Sequence, residues 1–176
     1  MVDLVFGRRI RQRMVFQLSA GPQEILLRNF VPPINPIWTW NLTSSLMYQL
    51  RRTTYSLMYM HGTTNGSGVF FSATTDMVTA TASRQLSAFW TASATAGYDS
   101  NQNLASIPGQ TGLFNGWFVG LNASRPIGPH FLTSFFYGAQ KQIGTGGCPV
   151  ANCANGYLWQ TFGGTLTWHP RPIALR

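Results

Sequence analysis

Few side chains in this sequence could carry out acid–base chemistry. His61 and Asp99 lie near the same predicted end of their strands, and Ser100 follows Asp99 directly. An imidazole beside a carboxylate can act as a general base toward a hydroxyl group. However, His61 alternates in phase with the apolar residues Leu57 and Tyr59, and the sequence contains no Gly-x-Ser-x-Gly nucleophile motif. We therefore predict no catalytic residue and no enzyme activity.

Cys148 and Cys153 are the only cysteines, and both lie in a loop rich in glycine and asparagine. In an oxidising compartment two such cysteines predict a disulfide that closes a small loop. Free thiols or a metal site are the alternatives, but a metal would need further ligands and no histidine or acid lies nearby. We predict the disulfide, with no metal and no cofactor. The intact mass should stay unchanged when the protein is alkylated without reductant, whereas uptake of two alkyl groups would contradict the disulfide.

Asp76 is the one carboxylate predicted to lie in the middle of a strand. We place it with Thr74 on the polar face of that strand, at mid-depth. There a carboxylate could line a water-filled space and favour cations, or accept a hydrogen bond from a facing strand. Asp76 is therefore a candidate lumen charge.

The composition restricts the class of protein that can position these side chains. Charged residues make up only 9% of the sequence, whereas a soluble domain has about 25%. Aromatic residues reach 14%, and no apolar run approaches the roughly 18 residues of a transmembrane helix. Residues 1–176 are interpreted as one domain with a short C-terminal tail at 169–176. The N-terminus lacks the pattern of a signal peptide, so we expect that one was removed or that upstream strands are missing.

Two-residue alternation of apolar and polar side chains predicts an all-β chain. In the third strand Trp38, Trp40 and Leu42 face one way, and Thr39 and Asn41 face the other. Short turns alternate with longer loops, as in an antiparallel up-and-down transmembrane β-barrel built of hairpins. Such barrels have an even strand number, so either eight strands close here or the chain is part of a larger barrel; we favour the second. The predicted strands are 2–9, 13–21, 37–50, 54–62, 67–84, 88–99, 113–125, 130–142 and 157–168.

The basic residues gather at one rim of the predicted sheet. The net charge is +8, and ten of the eleven arginines lie at short turns or in the C-terminal tail. A nucleic-acid-binding surface would arrange basic residues in a stripe with aromatic side chains, so we predict no nucleic-acid partner. Arginines at a barrel rim can reach phospholipid headgroups while their stems stay in the apolar boundary. The predicted basic collar comprises Arg8, Arg9, Arg11, Arg13, Arg51, Arg52, Arg84 and Arg125.

The last predicted strand contains a recognisable pattern. The segment Thr161-Phe-Gly163-Gly-Thr-Leu166-Thr-Trp168 resembles the C-terminal β-signal of bacterial outer-membrane β-barrels, which runs polar, any, Gly, any, any, apolar, any, aromatic. The resemblance implies a porin-like barrel in the bacterial outer membrane. Its implied partners are membrane lipids and the barrel-assembly machinery, with missing upstream strands or further subunits completing the barrel. That family usually ends on the terminal aromatic residue, whereas here eight residues follow Trp168.

Three functions are compatible with these patterns. The leading prediction is an outer-membrane β-barrel with a passive role, as a pore or a surface-facing structural protein. The alternative is a soluble or self-assembling all-β structural protein whose aromatic faces pair between subunits. A barrel enzyme is the third.

Overall fold

The structure is a computed structural model that describes residues 3–25, 36–64, 73–103, 113–145 and 156–168. They form nine strands. In chain order these are β1 (Leu4–Arg11), β2 (Met14–Ile25), β3 (Ile37–Leu50), β4 (Thr53–Thr64), β5 (Ala73–Gln85), β6 (Thr91–Asn103), β7 (Leu113–Ile127), β8 (Phe131–Thr145) and β9 (Leu158–Trp168).

The nine strands make one sheet in sequence order, and each strand pairs antiparallel with the next. This confirms the predicted all-β, up-and-down arrangement of hairpins. The sheet is not closed, because β1 and β9 form its two edges and do not pair with each other. It is a single layer of hairpins with the connectivity of a β-barrel.

All nine predicted strands form, and where both ends are described they differ from the prediction by a few residues. The segment 67–72, predicted as the start of the fifth strand, lies outside the described residues. β3 has the predicted bounds, whereas β6 begins at Thr91 and not at residue 88. The reason is a turn at 86–90. The Ser87 hydroxyl accepts hydrogen bonds from the backbone N–H groups of Phe89 and Trp90, at 3.3 and 3.1 Å. The backbone N–H of Leu86 donates to the carbonyl of Trp90 at 2.9 Å, which closes the turn.

The four short turns lie at one end of the sheet, because successive strands alternate in direction. They comprise residues 12–13, 51–52, 86–90 and 128–130. Two of them contain a residue with a left-handed backbone. Gly128 has φ of +64°, which glycine adopts without a steric penalty, and Arg51 has φ of 48°, which is uncommon for a residue with a side chain.

The described residues form almost no hydrophobic core. The buried apolar side chains among them are Ala73 and Ala139, and no large side chain is fully buried. In contrast, Phe162 is 87% exposed and Trp38 69%. A folded domain normally buries the apolar face of a sheet against a second layer. In the described part of the chain no second layer covers this sheet, so its apolar surface is left without a protein partner.

Candidate functional site

The strand register separates the sheet into two chemically different faces. Cross-strand partners share a face, and adjacent residues of one strand lie on opposite faces. One row of partners crossing β3 to β8 is apolar throughout, and we call the face that carries it the apolar face. It consists of Leu46, Leu57, Ala80, Ala96, Val119 and Ala139. A neighbouring row crossing β4 to β9 defines the polar face. It consists of Ser56, Thr81, Thr95, Gly120, Gly138 and Thr161.

A groove of about 470 Å³ runs along the middle of the apolar face. Its centre lies over β5 and β6, where small side chains leave space between the larger residues of the neighbouring strands. We call this the alanine groove, after its four central residues Ala80, Ala82, Ala94 and Ala96. Larger side chains border it on both sides, namely Leu46, Tyr48, Tyr55 and Leu57 from β3 and β4, and Val119 and Leu121 from β7.

Three polar side chains meet on the apolar face near the end opposite the short turns, and we call them the polar cluster. The Tyr59 hydroxyl donates a hydrogen bond to Oδ1 of Asp76 at 2.7 Å. Nδ1 of His61 lies 2.7 Å from the same oxygen. An ionised carboxylate only accepts hydrogen bonds, so this contact places the proton of His61 on Nδ1. The side chain of Asp76 remains 46% exposed, and that of His61 28%.

The position of Asp76 corrects the prediction that it is a lumen charge on the polar face. Asp76 pairs with His61 and lies on the apolar face with Val78 and Ala80. The alternation in this strand is weak, because threonine and alanine occur on both of its faces. The charge of Asp76 favours the polar face, whereas the register of β5 with β4 places this residue on the apolar face.

His61 and Asp99, which lie near the same end of their strands, are on opposite faces of the sheet and do not form a pair. Asp99 lies on the polar face, where its Oδ2 accepts a hydrogen bond from the side-chain amide of Asn101 at 2.7 Å. Oδ1 of Asn101 in turn accepts from the Thr75 hydroxyl at 2.6 Å. The carboxylate beside His61 is that of Asp76. The placement of His61 on the apolar face with Leu57 and Tyr59 is confirmed.

The polar face contains two aromatic rings that lie over glycines of the neighbouring strand. Phe118 of β7 is the partner of Gly97 in β6, and Phe136 of β8 is the partner of Gly163 in β9. A Cβ atom added at Gly163 would lie 2.6 Å from Cζ of Phe136. Each ring thus occupies the space that a side chain on its partner would need. This gives Gly163 a packing role that the sequence motif alone did not indicate.

The predicted basic collar lies at the end of the sheet that carries the short turns. Two of its arginines make identifiable contacts. Arg9 donates to the backbone carbonyl of Gln12 at 2.7 Å, and the guanidinium of Arg125 lies 5.7 Å from the centre of the Trp90 ring. Both contacts fix basic side chains beside the turns. The eight residues lie in or next to the turns and on both faces: Arg8, Arg9, Arg11, Arg13, Arg51, Arg52, Arg84 and Arg125.

The residues that resemble the β-signal all lie in β9, at an edge of the sheet. Leu166 and Trp168 project from the apolar face, and Thr161 and Gly163 lie on the polar face, as the alternation predicts. Cys148, Cys153 and the tail 169–176 lie outside the described residues. The disulfide and the role of the tail therefore stay predictions.

Within the described strands and turns, no three His, Cys, Asp or Glu side chains lie close enough to hold a metal ion. The same part of the chain has no helix of the length and hydropathy needed to cross a membrane. No family model, curated protein or solved structure matches this chain. Functional inference therefore rests on the two faces of the sheet and on the side chains they carry.

Proposed function

We propose that this chain spans the bacterial outer membrane as a β-sheet of a barrel, with a passive role as a pore or a surface-facing structural protein. The observation that supports this is an exposed apolar face that continues across the sheet, opposite a face made mainly of small and polar side chains. Hydrocarbon would cover the first face, and water would fill the space beside the second.

The strand lengths agree with this proposal. A tilted transmembrane strand needs about 9–11 residues, and β2 to β9 have between 11 and 15. Large aromatic side chains also lie on the apolar face toward both strand ends. Trp38 and Trp40 lie toward the long-loop end, and Tyr48 and Tyr55 lie toward the short turns. Aromatic side chains favour the two membrane–water interfaces.

The polar cluster is the feature that would favour a barrel enzyme, but its geometry supports a passive role better. His61 pairs with Asp76, and Asp76 pairs in turn with Ser100 on β6. In this row of cross-strand partners Asp76 stands between His61 and Ser100, whereas a nucleophile must reach the imidazole directly. Accordingly, no catalytic residue is part of the proposal.

A self-assembling all-β protein is the second candidate, and the same exposed apolar face favours it. Two copies that packed these faces together would form the second layer that a soluble sheet requires. In that case the apolar surface would be buried without lipid.

Fractionation and gel mobility distinguish the two candidates. We expect the protein to sediment with membranes, to resist extraction by alkaline carbonate and to dissolve only with detergent. We also expect an unboiled sample to migrate differently from a boiled one on a gel, because a closed barrel stays folded in the unboiled sample. A protein that remains dispersed in buffer without detergent would overturn the membrane proposal and support self-assembly.

A further inference from the structure

Methionine is unevenly distributed between the two faces of β3, β4 and β5. In these strands leucine and valine lie only on the apolar face, whereas methionine lies only on the polar face. Aliphatic side chains would fill space on the polar face equally well, so packing alone does not account for four thioether groups there. The four residues are Met47, Met58, Met60 and Met77.

Three of these methionines lie within reach of one another. Met60 and Met77 are direct cross-strand partners, which places their Cβ atoms about 4.5–5.5 Å apart. Met58 lies about 7 Å from Met60 along β4 and is diagonal to Met77, at about 7–8 Å. Because a methionine side chain has three rotatable bonds, the three sulfur atoms can converge on one point above the sheet. Met47 is the partner of Ser56, roughly 14 Å along the strands from Met60, and cannot share that point.

The charge beside these methionines favours a cation. Asp99 of β6 is the cross-strand partner of Met77, so Met60, Met77 and Asp99 form one row. Among the residues that the structure describes, Asp99 is the one charged side chain on the polar face of β3 to β9. The hydrogen bond that Asn101 donates to its Oδ2 leaves further acceptor positions and the negative charge in place. A neutral apolar ligand would gain nothing from this carboxylate, whereas a cation would be attracted to it.

We propose that Met58, Met60 and Met77 bind one soft monovalent cation, Cu(I) or Ag(I), beside the carboxylate of Asp99. Thioether sulfur is a soft, uncharged ligand that selects Cu(I) over hard cations such as Mg²⁺, and Ag(I) has the same charge and a similar softness. The proposal goes beyond the passive membrane role, because it assigns a ligand class to a specific set of side chains. It departs from the prediction of no metal, which rested on the surroundings of the two cysteines.

The methionine methyl groups report directly on the bound cation. The protein is labelled with ¹³C at these methyls, folded in detergent in a chloride-free nitrate buffer, and titrated with silver nitrate. The methyl resonances of Met58, Met60 and Met77 should shift together and saturate at one equivalent. Met14 lies on the apolar face opposite Tyr48, so its resonance should not shift in a saturable manner. Cu(I) supplied without oxygen should shift the same three resonances, and Mg²⁺ should shift none of them.

Variants that exchange sulfur for carbon test the ligands while keeping the side-chain volume. Met60→Leu and Met77→Leu should each weaken Ag(I) binding at least about tenfold, because even residues that only support a metal ligand contribute that much. Met47→Leu is the matched control on the same face, and it should leave the affinity unchanged. Asp99→Asn should weaken binding roughly threefold, since a unit charge one and a half strand spacings away, about 7 Å, contributes that much in water.

Four outcomes would overturn the proposal: saturable shifts of Met14 together with the other resonances, unchanged affinity in Met60→Leu or Met77→Leu, an equal loss in Met47→Leu, or unchanged affinity in Asp99→Asn. The test does not depend on the membrane role, because the polar face contacts water whether lipid or a second copy covers the apolar face. If the protein is soluble without detergent, the membrane role fails, and the same titration in buffer still decides whether the methionines bind the cation.

Discussion

Leu57→Arg is expected to destabilise the folded protein in a lipid bilayer by about 2–4 kcal/mol. Leu57 lies at the middle of β4 on the apolar face, between Tyr55 and Tyr59, and it is 47% exposed. In the proposed orientation it contacts the centre of the hydrocarbon layer. An arginine at that depth loses its hydration, and its side chain is too far from either interface to recover it fully.

Ser56→Arg is the matched control, because Ser56 precedes Leu57 and lies on the polar face. Its guanidinium would reach water, so we expect a change within about 0.5 kcal/mol. The free energies of unfolding are compared by urea titration of both variants in lipid vesicles, followed by tryptophan fluorescence. An equal loss of unfolding free energy in the two variants would mean that both faces contact the same solvent.

Gly97→Ala should cost about 1–3 kcal/mol of stability, because it overpacks a filled site. A Cβ atom at Gly97 would collide with the ring of Phe118 and would lie 2.9 Å from the backbone carbonyl of Val78. The ring could turn aside, but the carbonyl belongs to the hydrogen-bonded sheet and cannot move without disturbing the pairing of β5 with β6. The free energy of unfolding of the folded protein in vesicles or detergent measures the effect.

A second substitution measures how much of this cost comes from the ring. Phe118→Leu shortens the side chain over Gly97, so Gly97→Ala should cost less in the Phe118→Leu background than in the native protein. Gly120→Ala is the control for replacing a glycine in a strand without a close contact. A Cβ atom added at Gly120 would have the carbonyl oxygen of Tyr137, at 4.0 Å, as its nearest neighbour. A cost at Gly120 as large as that at Gly97 would assign the effect to the replacement of a strand glycine in general and not to the contacts at Gly97.

The sequence was sufficient to predict the strands, because alternation is strong where the two faces differ chemically. In β3 the large residues Trp38, Trp40 and Leu42 alternate with small polar ones, and its predicted bounds agree with the structure. The start of β6 was predicted too early. That error arose because the segment 86–90 is apolar enough to resemble a strand, while the hydrogen bonds of Ser87 close it into a turn.

The polar cluster could not be predicted from the sequence for a related reason. β5 alternates threonine with alanine and valine, which differ too little in size and polarity to identify a face. The contact between His61 and Asp76 also depends on the register of β4 with β5, and a slip of one residue would move Asp76 to the opposite face. Only the complete set of cross-strand pairs fixes that register.

The directions of the two edge strands restrict how many further strands could close the sheet into a barrel. Because neighbouring strands alternate in direction, the first and last of nine strands, β1 and β9, run the same way. Joining these edges directly would create a parallel pair, whereas a wholly antiparallel ring requires an odd number of added strands. Hydrocarbon offers no hydrogen-bond partner to the edge N–H and C=O groups of β1 and β9. In a membrane these strands must therefore be matched by other backbone, and an antiparallel ring built on this sheet has an even total.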